Sequence, residues 1–168
     1  KIVFQGHGNL RALDTYQDKL YLGDDAGLWE ATDPETTADW TQIAATADFG
    51  NTFGGGREVM FWDLEEFNGW FYVSISENVD PDIVDSGAAY LFKGRFIGIG
   101  SPGANAAGWQ WLPVVADQVS FPDAPYVKGF GSRFNNAFSL AVFNGYLYVG
   151  TLMSFPNLVA GGDTSFLL

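Results

Sequence analysis

Two adjacent carboxylates, Asp24 and Asp25, stand just ahead of Gly27. Oxygen ligands on a glycine turn suit Ca²⁺, so the pair is a candidate cation site; the plainer reading is a solvated turn. A second acidic set lies between Glu77 and Gly87, where Asp80, Asp82 and Asp85 join Glu77 and the amide of Asn78. It lacks the alternating aspartates and distal glutamate of a helix-loop-helix calcium loop. It reads either as a loop ordered by Ca²⁺, the candidate cofactor of the chain, or as an acidic surface loop.

Arg57 and Arg133 each precede an Asn-Gly pair by eleven residues. A guanidinium fork can grip a carboxylate or sulfate with two bonds, and a repeated contact between neighbouring sheets would explain the recurrence as well. Trp109 and Trp111 are candidates for stacking on sugar rings, or for core. Asp63, Glu65 and Glu66 suit glycoside hydrolysis if two of them stand roughly 5–10 Å apart across a cleft. His7 is the only histidine, too few for a multi-histidine metal site, and it reads as a packing residue or a general base. There is no cysteine, so thiolate chemistry, thiolate metal sites and disulfides are excluded. Nucleophile-elbow and phosphate-loop motifs are absent, and the glycine-rich Gly98–Gly103 stretch has no helix start after it to hold phosphate.

The elements that carry these residues repeat. Leu13–Gly23, Leu64–Ser74 and Leu140–Gly150 align without a gap: Leu first, an aromatic in fourth place (Tyr16, Phe67 or Phe143), a two-residue polar turn, then an apolar-Tyr pair. Asn68-Gly69 and Asn144-Gly145 are the favoured pair for a tight turn with two positive φ values, and Gln17-Asp18 takes their place in the first copy. Each copy therefore predicts a β-hairpin. A third strand follows over 27–30, 88–93 and 163–168, and a fourth over 40–43 and 109–114. No stretch shows a persuasive helical period, so helix should be scarce.

Four antiparallel strands recurring every 50 to 76 residues predict an all-β fold, a β-propeller of about three blades. Residues 1–5 form an orphan outer strand, 10–45 the first blade, 59–115 the second and 136–168 an incomplete third. Three blades do not close a ring. The expectation is a fragment of a longer propeller, or half of a six-bladed ring completed by a second copy that exchanges its first strand.

Gly129-Phe130-Gly131, Phe143–Thr151, Gly27-Leu28-Trp29 and Trp40-Thr41-Gln42 resemble the repeats of bacterial extracellular β-propeller proteins. The segment from Ala31 to Trp40 is similar to the Asp-box hairpin of sialidase-like propellers, without its Ser and Gly. The resemblance implies an extracellular or cell-surface module for recognition or structural assembly, with a protein or glycan docking on the loop face. A carbohydrate-active enzyme with carboxylates at the channel mouth is the rival, and a subunit of a self-assembling layer or fibre the third reading.

Composition agrees with a packed domain. The 168 residues are 47 % hydrophobic and 17 % aromatic, enough to bury a core. Twenty acids against eight bases give a net charge of −12, which argues against a nucleic-acid partner. Seventeen of the acids fall in residues 1–85, suggesting one acidic face or a solubilising surface. No apolar run approaches the roughly 20 residues of a membrane span. Lys1–Gln5 does not read as a signal peptide, so the expectation is a cytosolic chain, a processed one, or a fragment.

Overall fold

The computed structural model describes residues 10, 12–35, 39–49, 59–77, 88–132 and 135–153. The expected strands over 1–5 and 163–168, together with His7, Arg57, Asp80, Asp82, Asp85 and Arg133, lie outside them. The chain is all-β, and no α-helix occurs among the described residues. No helix among them is long and apolar enough to cross a membrane.

Strands β1 (Ala12–Tyr16), β2 (Lys19–Asp24), β3 (Gly27–Ala31) and β4 (Thr41–Ala45) form one four-stranded antiparallel meander. Strands β5 (Val59–Phe67), β6 (Trp70–Glu77), β7 (Tyr90–Phe96) and β8 (Trp109–Ala116) form a second, and the short β9 (Tyr126–Val127) joins β8 in parallel at its edge. A third hairpin pairs β10 (Asn135–Phe143) with β11 (Tyr146–Met153).

The three repeated segments take one register. Leu13 faces Leu22, Leu64 faces Val73 and Leu140 faces Val149. Their turns have positive φ at both central residues: 48° and 60° at Gln17-Asp18, 53° and 75° at Asn68-Gly69, 50° and 76° at Asn144-Gly145. That is the backbone whose twist matches two right-twisted strands. In the first hairpin a side chain other than Asn or Gly bears the left-handed strain at both positions. Asp18→Gly is therefore expected to stabilise the chain by about 0.5–1 kcal/mol, read as a raised midpoint in urea unfolding.

The sheets stack in chain order. One core joins Tyr16, Tyr21, Leu28 and Ile43 of the first sheet to Phe61, Leu64, Phe71, Val73 and Trp109 of the second. Another joins Ala89, Leu91 and Val115 of the second sheet to Phe138 and Leu140 of the third hairpin. Strand β7 shows why the sequence is so apolar there. Tyr90 and Phe92 enter the first core while Leu91, with Ala89 just ahead of the strand, enters the second, so both faces of its first half are dry and no polar alternation survives there.

Polar ties cross the same boundaries. The Tyr16 hydroxyl donates to the Gly69 carbonyl at 3.1 Å. Asn105 Nδ2, on the β7–β8 connection, donates to the Ile43 carbonyl at 2.8 Å and to Asp48 Oδ2 at 3.1 Å. The Phe138 amide donates to Ser74 Oγ at 3.1 Å.

Candidate functional site

The tips of the first two hairpins meet at one end of their sheets. Gln17, Asp18 and Lys19 from the first hairpin meet Glu66 and Gly69 from the second, with Thr32 and Pro34 alongside, around an open groove of about 850 Å³. A second cleft of about 570 Å³ lies against it and shares Gln17 and Lys19. Its walls are Tyr21, Glu30 and Gln42 on one side and Phe96, Ile99 and Trp109 on the other.

The polar centre of the two hollows is built by strand pairing. Tyr21 faces Glu30 across β2 and β3, and Lys19 lies two residues earlier on the same face. Lys19 Nζ donates to Glu30 Oε1 at 2.7 Å and the Tyr21 hydroxyl donates to Oε2 at 3.0 Å. Burial, and then the Glu30 charge, push the Tyr21 phenol far above its ordinary range. The phenol stays protonated and serves as a donor, not a base. The charge pair neutralises itself, so the cleft offers amides, a hydroxyl and apolar walls around a satisfied ion pair. At the groove, Glu66 Oε1 accepts the Gly69 amide at 2.9 Å and steadies the turn.

The carboxylates expected to do chemistry, Asp63, Glu65 and Glu66, lie on β5. Asp63 Oδ2 accepts the Leu140 amide at 2.7 Å, and the Glu65 carboxylate accepts the Val142 amide. These amides lie on the edge of β10 away from β11, so the β5 acids cover donors that a lone hairpin leaves open. Asp14 on β1 completes the row, and the carboxyls of Asp14 and Glu65 are both raised above the usual range. Desolvation is the main cause, followed for Glu65 by the charges of Asp14 and Asp63, and for Asp14 by those of Asp63 and Glu66.

The sign of the pH effect follows. A carboxyl that binds its proton more readily folded than unfolded penalises folding when ionised. Stability from Asp14 and Glu65 should rise as pH falls through their folded values and level off near the unfolded ones, 3.8 and 4.5. Both groups are partly exposed, so the gain is under about 1 kcal/mol. Unfolding of the native chain and Glu65→Gln, measured side by side from pH 7 to pH 4, should show the variant more stable at pH 7 and the difference closing towards pH 4.

Asp24 is buried at the β2–β3 turn, and its Oδ1 receives the Ala26 amide at 2.9 Å, the Gly27 amide at 3.0 Å and Trp29 Nε1 at 3.0 Å. That oxygen is committed to the turn. Asp25 stands beside it at the turn, half-buried. Among the described residues no three His, Cys, Asp or Glu side chains gather in a way that could hold a metal ion.

Trp109 and Trp111 stack on one another at 5.3 Å and 10°. Trp109 is buried in the first core and reaches the cleft only at its wall. Trp111 lies over Gly94, its partner across the strand pair, where a Cβ would come within 2.2 Å of the ring. Both indoles are packed against protein, Trp109 buried and Trp111 half-buried. Sequence reasoning missed Gln17, Lys19, Tyr21 and Glu30; the repeated turn at Gln17-Asp18 was the signal that pointed to their end of the sheet.

No family model, curated protein or solved structure matches this chain.

Proposed function

We propose that the chain is a non-catalytic β-propeller module of an extracellular or cell-surface protein, serving recognition and structural assembly. The sheets act as blades, with β1, β5 and β10 as inner strands. The observation that carries this reading is how the inner carboxylates are used: Asp63 and Glu65 hold backbone amides of the next hairpin, which is architecture. Recognition falls to the hairpin-tip groove and the adjoining cleft. A hydroxyl-rich glycan or a polar protein loop suits their amides, hydroxyl and apolar walls. Ca²⁺ on Asp80, Asp82 and Asp85 would order the 77–87 segment.

Calorimetric titration with a panel of soluble oligosaccharides tests the reading. Binding that Gln17→Ala and Lys19→Ala weaken together supports it. The absence of binding by any glycan or peptide probe counts against it.

The rival reading, a carbohydrate-active enzyme, draws on one observation: Asp14 and Glu65 are carboxyls raised by burial and by neighbouring acids, as a general acid must be. Turnover of aryl glycosides that Glu65→Gln abolishes would establish it in place of the first.

A further inference from the structure

We propose that the outer face of the β10–β11 hairpin is a docking surface for the β1–β2 face of a second copy of this chain, in a head-to-tail contact. The inference deepens the assembly part of the function above and rests on the repeat register.

Each hairpin carries a Leu on one face and a Tyr on the other, at aligned positions: Leu13, Leu64 and Leu140, then Tyr21, Tyr72 and Tyr148. Inside the chain, the Leu of one hairpin is buried in the core that holds the Tyr of the hairpin before it. Leu64 is 3 % exposed in the cluster that contains Tyr21, itself 1 % exposed. Leu140 is 6 % exposed in the cluster against which Tyr72 packs. Among the described residues the series leaves one Leu and one Tyr unmatched. Leu13 is 65 % exposed and Tyr148 is 52 % exposed. They are the two halves of the contact that the chain makes twice within itself.

Two further observations select this occupant. Phe143 and Tyr146, on the same face as Tyr148, are also exposed, although the aligned Tyr16 is buried against Phe71. Residues 135–153 contain no charged side chain, in a chain with 20 acids and 8 bases. A contiguous uncharged aromatic face on so acidic a protein marks a surface meant to be covered. The face also lacks the charged groups that would repel an acidic partner. Because the surfaces differ, the contact is heterologous, and it closes a ring or propagates as a filament according to the rotation between copies.

Light scattering coupled to size-exclusion chromatography, over a range of protein and salt concentration, tests this. The 18.3 kDa chain should associate with increasing concentration, and more readily in salt, which screens its net charge of −12. Tyr148→Asp and Leu13→Asp each alter an exposed side chain, so each should stay folded by near-ultraviolet circular dichroism. Each alone should weaken association by about tenfold or more. An equimolar mixture of the two should recover a complex that stops at a dimer, since each variant keeps the face the other lacks.

A native chain that stays monomeric at its solubility limit overturns the proposal. So does a mixture that remains monomeric, or a Leu13→Asp chain that assembles like the native one, which would mean a symmetric contact. Phe143→Asp repeats the test should Tyr148→Asp unfold. The oligosaccharide titration reads the recognition site separately, so failure of one reading is distinguishable from failure of the other.

Discussion

Phe71→Ala is expected to lower the unfolding free energy by about 3–5 kcal/mol, the usual cost of emptying a large aromatic site in a packed core. The ring is fully buried on β6, where the first two sheets meet. It stacks on Tyr16 at 5.3 Å and 16°, meets Tyr21 at 4.7 Å and 49°, and lies 6.4 Å from Trp109. No neighbour can collapse into the space without leaving its own strand register, so a cavity would remain. Domains of this kind are stable by only about 5–15 kcal/mol, so the variant should sit near the edge of folding. Urea unfolding followed by tryptophan fluorescence measures it. Phe143→Ala is the control: that ring is exposed, and its loss should change monomer stability by less than about 0.5 kcal/mol. A similar cost for both variants would sink the account of the inter-sheet core.

The second large effect is at Asp24. Asp24→Ala is expected to cost about 3 kcal/mol, because one buried oxygen satisfies two backbone amides and the Trp29 indole nitrogen. The loss comes from donors left without an acceptor, more than from the charge itself. Asp24→Asn, which keeps a carbonyl oxygen at the site, should therefore recover part of the stability. Gly27, which follows, makes the turn hard to repair. Its φ is +152°, and a Cβ there would stand 2.0 Å from the Ala44 carbonyl oxygen. Urea midpoints for both variants, with the near-ultraviolet signal of the tryptophans, give the comparison.

These two sites also mark what the residue string discloses and what it withholds. The hairpins were legible because Asn68-Gly69 and Asn144-Gly145 carry their own backbone preference, and alignment extended it to Gln17-Asp18. The third and fourth strands of the two meanders followed from apolar and aromatic runs placed after each aligned hairpin. Strand β9 was not legible: Tyr126–Val127 is two residues long, too short for any period, and its pairing depends on where β8 already lies. The role of Asp24 was hidden for a related reason. Its three donors are brought together only by the turn they stabilise, and a carboxylate next to glycine looks the same whether it binds Ca²⁺ or its own backbone. The burial of Trp111 depends on Gly94, seventeen positions away and opposite it only after β7 and β8 pair. The groove and cleft join residues some fifty positions apart, which no local motif reports.

Serial packing also sets the order in which the molecule can loosen. Among the described residues the β5–β8 sheet packs against layers on both sides, whereas β10–β11 packs against one. In such an array stability is a sum over adjacent layers, so opening starts at the end with one neighbour and works inward. Amide hydrogens of β6 and β7 should outlast those of β10 and β11 in deuterium exchange, and filling the vacant side of the last hairpin should slow its exchange. The same aromatic face that awaits a partner would then act as the latch on the chain's least secure layer.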